Sequence, residues 1–569
     1  MARALLGLLG TLAARAASQS LVALDAFAAD SIRVRVAPPG APVADPELQA
    51  LLTGADAPAR GARARAAAGA PATLTNGNLR IDVDAAGLLT ATRVSDGALL
   101  LRQTALAFAA PDGTATRANS ASVLATFAGV AAGERLFGFG EHRTGAVGYA
   151  AYAKRFADSQ DYAQSHGSDV SIPFYFSTVG YGFVWNSAGY GSVDAGPGGI
   201  AWASNVSLGE DVWITTTPAD FVNTSGRSPY AAILSNYVDA VGHAPPMPYY
   251  ATGFIQCKDR YRNQTQLLDV ARGYESRQLP ISVIVIDWKH WTAQGDWHLN
   301  PSCWPDPQGM VDELRTMGIE LMTTFWPLQS TGSRHWDNFT KNDWLVNRLN
   351  ATAPTSYDGS DQYLIDQTNP VVRENVFEYF WEGYGQYGVK TIWVDAAEPE
   401  HFGSEAEGTW RHFAGTDAEV GEAFITQHAR SFADGFATKN ISASDYFILP
   451  RSAWAGSWRY SAALWSGDII STFDELAIQV KAMQGALLSG VALWTTDIGG
   501  YHSGDPADPV FQELIVRWFQ FGAFSPLFRL HGHRNGGPAP DECGETNGDN
   551  EVFVNALTLR RPLRPQLRP

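Results

Sequence analysis

Two rhythms of apolar and polar residues divide the chain. From residue 72 to 240 they alternate in short runs: Asn78 to Asp84 (NLRIDVD), Leu88 to Val94, Leu99 to Gln103, Ile172 to Ser177, Gly182 to Asn186 and Val212 to Thr217. Gly, Asp and Asn punctuate these runs at close intervals, and period-two alternation with frequent turn residues predicts an antiparallel β-sandwich. Residues 30 to about 71 are rich in Ala, Pro and Gly and supply one strand candidate, Ser31 to Val36, before an Ala/Gly/Arg segment that reads as mobile. Phe137 to Arg143 (FGFGEHR) reads as a Gly-broken loop able to reach over a neighbouring site, or equally as a β-turn with solvent-facing charges.

The rhythm changes after the proline-rich stretch Gly242 to Tyr250. Strand-like runs now alternate with helix-period segments, the pattern of βα units around a parallel sheet. Eight runs occur: Thr252 to Gln256, Ser282 to Asp287, Glu320 to Trp326, Thr391 to Asp395, Tyr446 to Arg451, Ala463 to Asp468, Val491 to Asp497 and Pro526 to His531. Eight is the number that closes a (β/α)8 barrel. Helix candidates fall between them at Gln264 to Arg277, Met310 to Met317, Pro370 to Tyr387, Gly421 to Lys439, Glu475 to Leu488 and Asp508 to Phe521. The fifth connection, Ser452 to Ala462, is too short for a helix and its loops. The predicted fold is α/β, a (β/α)8 TIM-type barrel over 251–569 preceded by an antiparallel β-sandwich domain over 30–241, with a linker at 242–250.

Several runs end in a polar residue: Asp287, Asp395, Arg451, Asp468, Asp497 and His531. A charged residue at one strand end is ordinarily a helix cap or half of an ion pair. In a barrel, however, all such ends meet at one rim, so residues distant in sequence line one pocket. Trp326, Trp393 and Trp465 belong to the same strand ends. The stretch Lys390 to Glu400 (KTIWVDAAEPE) concentrates the pattern, delivering Asp395 to a turn with Glu398 three residues on.

Composition narrows the partner. A net charge of −17 argues against a nucleic-acid or anionic-membrane partner and suits a neutral substrate. Eighteen Trp and twenty Tyr supply ring faces that stack on sugars as well as fill cores. Three cysteines, Cys257, Cys303 and Cys543, allow at most one disulfide and lack zinc-site spacing. No phosphate-cradling Gly-rich motif, paired-His metal set or Ser-His-Asp order occurs, and neither a metal nor an organic cofactor is implied. Met1 to Ala17 reads as a short signal peptide with the small-x-small triplet Ala14-Arg15-Ala16, its rival being a frayed N-terminal helix. Six N-glycosylation triplets, at Asn205, Asn223, Asn263, Asn338, Asn350 and Asn440, fit a secreted chain.

Rim carboxylates between aromatic walls are what glycoside hydrolysis needs, one ionised and one protonated. Six ordered motifs then make a specific resemblance: SVIVIDWKHW at Ser282 to Trp291, IWVDAAEPE at Ile392 to Glu400, RSAWAGSWRY at Arg451 to Tyr460, WSGDIIST at Trp465 to Thr472, WTTDIGGYH at Trp494 to His502 and FRLHG at Phe528 to Gly532. Together they resemble glycoside hydrolase family 31, the retaining α-glucosidases and α-xylosidases. The resemblance implies that Asp395 is the nucleophile and Asp468 the general acid/base of a double displacement on an oligosaccharide. It further implies that Asp287, Arg451 and His531 hold sugar hydroxyls, that Trp326, Trp393 and Trp465 wall the pocket, and that Asp497 supports the acid/base.

The run Gly253 to Lys258, with Tyr261-Arg262 and Gln294 to Trp297, is most similar to the α-xylosidase branch. Xylose lacks the hydroxymethyl group of glucose, and Trp288, directly after Asp287, either fills that space or packs away from it. An α-xylosidase acting on xyloglucan-type oligosaccharides is therefore expected ahead of an α-glucosidase. Family members continue past the barrel into further β-domains, whereas here Pro562, Pro565 and Pro569 would interrupt the eighth barrel helix. The sequence alone thus leaves a second expectation from another class, a truncated, inactive carbohydrate-binding remnant. No sequence feature fixes the aglycone or the oligomeric state.

Overall fold

The computed structural model describes residues 15–16, 20–58, 60–111, 113–156, 159–160, 167–356, 359–397 and 409–552. Most of the signal-peptide segment, Glu398 and the proline-interrupted end from 553 onward lie outside the described residues.

Two antiparallel sheets form the N-terminal part. The outer one contains the short strands Leu79–Val83 and Leu89–Arg93, which bury Leu79, Ile81, Val83, Leu89 and Ala91 on one face only. The inner sheet is apolar on both faces. Along Ser168–Ser177 every residue is buried, with Tyr175 in the core between the sheets and Val170, Ile172, Phe174 and Phe176 in a second core shared with the barrel. Ile214 and Trp213 divide the same way on Glu210–Thr216. Period-two geometry sends alternate residues to opposite faces, so these strands join three layers.

Three expectations for this region are corrected. The segment read as mobile contains the strand Arg60–Ala66, paired with Val22–Phe27, which in turn pairs with Ser31–Val36. Arg63 and Arg65 reach Asp25, so charges that look unstructured in sequence have a buried partner. Phe137 to Arg143 is no loop over a site: Leu136–Glu141 is a strand with an irregularity between Gly138 and Gly140. The helix Pro229–Val241 also lies where only strands were expected.

The barrel strands are β1 Phe254–Gln256, β2 Val283–Ile286, β3 Glu320–Phe325, β4 Thr391–Val394, β5 Phe447–Pro450, β6 Leu464–Trp465, β7 Trp494–Thr495 and β8 Phe528–Leu530. One parallel sheet runs β5-β4-β3-β2-β1-β8 and a parallel pair joins β6 to β7. Parallel bridges Ile448–Ala462 and Ile498–Leu530 complete the ring. Helices α1 Gln264–Ser276, α2 Pro307–Thr316, α3 Pro370–Gly383, α4 Asp417–Thr438, α5 Phe473–Leu488 and α6 Pro509–Gly522 surround it. Their starts follow local chemistry: Asn263, Asp306, Asn369, Thr472 and Asp508 each accept a backbone N–H of the first turn. The short fifth connection holds only the 3-10 turn Ser457–Tyr460. No described helix is long and apolar enough to cross a membrane.

The sandwich docks on α5. A Cβ on Gly485 would stand 2.8 Å from the Gly140 carbonyl oxygen, so glycine permits the close approach. There the Gly140 N–H donates to Ser489 Oγ at 2.7 Å, and Trp494 Nε1 donates to the buried Glu141 carboxylate at 3.0 Å.

Candidate active site

The barrel's C-terminal rim assembles from backbone pairing. The Asp395 N–H donates to Phe325 O at 3.1 Å and the Arg451 N–H to Val394 O at 3.2 Å, so parallel register sets Asp395 between β3 and β5. The Ala396 N–H donates back to Asp395 Oδ1 at 2.8 Å, and Ala396 itself adopts φ +51°, a sparsely populated turn conformation placed directly after the carboxylate.

Arg451 joins the two aspartates. Its Nη1 is 3.1 Å from Asp395 Oδ1 and 3.8 Å from Asp468 Oδ2. Those oxygens are therefore no more than about 7 Å apart, which admits the roughly 5–5.5 Å of a retaining carboxylate pair and excludes most of the roughly 6.5–9.5 Å range of an inverting one.

The Asp468 turn is clamped from both domains. Ser466 donates its N–H to Thr495 O at 3.2 Å and its Oγ to Thr496 Oγ1 at 3.1 Å, while the Tyr501 N–H donates to Ile469 O at 2.7 Å. From the sandwich, the Ser168 N–H donates to Ser466 O at 2.7 Å. Gly167, at φ +81°, allows this contact because a Cβ there would lie 2.0 Å from the same oxygen.

Inside the ring, Trp393 on β4 meets Trp465 on β6 edge to face, centroids 5.4 Å apart, and meets His531 at 5.0 Å. Arg529 lies 4.4 Å from the Trp393 ring and forms an ion pair with Asp497, both side chains 0% exposed. Burial pushes the Asp497 carboxyl up to about 6 although Arg529 pulls the other way. Asp497 is thus a fully buried partner of Arg529.

Asp287 and His531 face each other, Oδ2 to Nε2 3.9 Å. Burial, then the charges of Asp259 and Asp395, raise the Asp287 carboxyl well above the usual range, while burial and the nearby Arg529 and Arg534 hold the His531 imidazole well below its own. Among the described residues neither His531 ring nitrogen has a hydrogen-bond partner, and the same holds for the buried indole nitrogens of Trp326, Trp393 and Trp465. Leaving such groups unpaired costs about 1–3 kcal/mol each, a cost that a bound polyol relieves. Cys257, Asp287 and His531 offer ligand atoms within 4.8 Å of one another, but Arg529 approaches Cys257 Sγ at 3.9 Å, so a cation there would face a guanidinium.

Trp326 is brought against Trp288 (centroids 5.1 Å, interplanar 8°), and together with Trp291 they line a cleft of about 570 Å³ that extends to Cys303 and Cys543. Those cysteines form the one disulfide the sequence allows, Cα atoms 5.8 Å apart. Sequence reasoning overlooked Arg529, Asp259 and Tyr501. For Arg529 a signal existed: a lone cation inside the apolar strand PLFRLH needs a carboxylate on a neighbouring strand.

A model described as the glycosyl hydrolases family 31 TIM-barrel domain matches residues 244–567. The chain is 37% identical over 406 residues to the uncharacterized family 31 glucosidase ORF2 of Pseudescherichia vulneris, covering 71% of this chain and 72% of that protein. It is 31% identical over 396 residues to α-xylosidase A of Aspergillus niger, covering 64% and 53% respectively. The crystal structure of a GH31 α-xylosidase from a soil metagenome, complexed with xylose, superposes with a TM-score of 0.83 at 32% identity, covering 95% of this chain and 80% of that one. With a matching barrel model and these relatives, the chain belongs to glycosyl hydrolase family 31 and is an α-glycoside hydrolase.

Proposed function

We propose that the protein is a secreted, retaining, exo-acting α-xylosidase that removes α-linked xylose from oligosaccharides. The observation that carries the sugar preference is Trp288, which directly follows Asp287 and is fixed by stacking on Trp326. An indole held there occupies room that a hydroxymethyl group would require. Similarity to xylosidases in Aspergillus niger and a soil metagenome supports the same reading. The Pseudescherichia glucosidase, at 37% identity, favours the alternative, an α-glucosidase. The Cys303–Cys543 disulfide suits an oxidising compartment. Asn350 and Asn440 are exposed and open to glycosylation, whereas Asn263 caps α1 and Asn338 donates to Tyr379 Oη.

In the mechanism, Asp395 attacks the anomeric carbon as Asp468 protonates the leaving oxygen, giving a β-glycosyl enzyme. Asp468 then deprotonates water, which displaces Asp395 and restores the α-configuration. Arg451 holds Asp395 beside the acid/base through a charge-assisted contact. Asp287 and His531 exchange hydrogen bonds with the sugar hydroxyls, and Trp393 and Trp465 wall the ring.

The test is hydrolysis of matched aryl α-xyloside and aryl α-glucoside, with Asp395→Ala as control. Preferred turnover of the xyloside, lost in the variant, is the expected result. Preference for the glucoside would reverse the sugar assignment, and no turnover of either by folded protein would overturn the proposed hydrolysis.

A further inference from the structure

We propose that Asp259 is the positioning residue that locks Trp288 as the pocket wall, and so sets the sugar preference from outside the reacting groups. The proposal rests on the α-xylosidase reading above.

Asp259 follows β1, is buried, and accepts hydrogen bonds from four side chains. Trp288 Nε1 donates to its Oδ1 at 3.0 Å. Its Oδ2 accepts from Tyr501 Oη at 3.1 Å, His533 Nδ1 at 2.9 Å and Asn547 Nδ2 at 3.0 Å. The donors come from the loops after β2, β7 and β8, so one carboxylate ties four strand ends together. The backbone adds to this anchoring: the Asp259 N–H donates to Gly532 O at 3.3 Å, and Asn547 Nδ2 also reaches Asp259 O at 2.8 Å.

A buried carboxylate without donors would take up a proton. Burial does push Asp259 upward, but the hydrogen bonds from His533 and Trp288 outweigh it and hold the carboxyl below its ordinary value. The charge-assisted bond to the indole is therefore retained, and such bonds are about twice as strong as neutral ones.

Trp288 has few alternative positions. Its ring stacks on Trp326, Lys289 Nζ stands 4.2 Å from its centroid, and Lys289 is itself paired with Glu545 at 3.0 Å. Stacking lets an indole slide in its plane; a hydrogen bond from Nε1 to a fixed acceptor removes that freedom. Asp259 supplies the acceptor, and the other three donors fix Asp259.

The experiment is a double-mutant cycle with Asp259→Asn and Trp288→Phe, which keeps an aromatic ring but lacks the indole N–H. The readout is kcat/KM for aryl α-xyloside divided by that for aryl α-glucoside. Each single variant is expected to lower this ratio about tenfold, the scale at which a pocket discriminates one small apolar group, chiefly through a lower KM for the glucoside. The double variant should fall no further. Additive effects, or a wild-type ratio in Asp259→Asn beside an altered one in Trp288→Phe, would overturn the proposal. If wild type prefers the glucoside, the xylosidase reading fails, while the same cycle still tests the coupling. Should Asp259→Asn not fold, the indole N–H resonance of Trp288, assigned by its loss in Trp288→Phe, decides in the wild-type protein. A shift to the hydrogen-bonded, downfield region supports the lock, and a solvent-like shift with fast exchange overturns it.

Discussion

Arg451 Nη1 lies 3.1 Å from Asp395 Oδ1, and the same nitrogen is 3.8 Å from Asp468 Oδ2. One guanidinium thus orients both carboxylates while attracting the proposed nucleophile more closely. Exogenous azide separates their roles. With an activated α-xyloside, Asp395→Ala should lose at least about 10⁴-fold in kcat and, with azide in the vacated space, give the β-glycosyl azide. Asp468→Ala should form the glycosyl enzyme and give the α-glycosyl azide. NMR of the two products checks the assignment, and exchanged anomers would mean exchanged roles.

Gly167 lets the sandwich reach the acid/base turn. Gly167→Ala would force a Cβ to 2.0 Å from Ser466 O at φ +81°, so the turn must shift. Misplacement by about 1 Å can cost 10²-fold in rate. A loss of at least about tenfold in kcat is expected, with the circular-dichroism melting point down by only a few degrees. Unchanged kcat would show that the sandwich contact does not position Asp468.

Asp497 links pH to stability. Its carboxyl is pushed up to about 6 in the folded chain, mainly by burial, from an ordinary value of 3.8. Because the folded state holds this proton longer than the unfolded chain, the group's contribution is fully present below about pH 4 and is lost as pH rises through about 6. Asp497→Asn cannot titrate. Urea unfolding at pH 4 and pH 7 should therefore move the stability difference in the variant's favour by up to about 3 kcal/mol at the higher pH. Drift in the opposite direction would mean that the Arg529 pairing dominates over burial.

The disulfide spans 240 residues, joining the loop after β2 to the loop after β8. Cross-links that close long loops typically contribute about 2–4 kcal/mol by restricting the unfolded chain. Reduction, or Cys303→Ser with Cys543→Ser, should lower the urea midpoint accordingly and steepen the transition, because the uncrosslinked unfolded chain exposes more surface. An unchanged midpoint under reducing conditions would show that the bridge adds no net stability.

The eight barrel runs were legible because parallel strands are buried on both faces and read as continuous apolar stretches, and because six of them end in a charged or ionisable residue that strand interiors rarely carry. Asp287, Asp395, Arg451, Asp468, Asp497 and His531 could be picked out one at a time for that reason. Charges at Arg63 and Arg65 misled, since sequence shows a charge but not the Asp25 that receives it. The disulfide was limited to one bridge by counting, while its pairing required the distance between two loops.

By itself, then, the sequence determined the periodicities: which residues are apolar, where strands and helices start, and which polar groups stand at strand ends. Tertiary structure alone decided partnership. Parallel register brought Asp395 and Asp468 to one arginine, Trp288 to Asp259, and Arg529 to Asp497. Local preferences act over a few residues, whereas these contacts span 17 to 56 positions and exist only once the ring has closed.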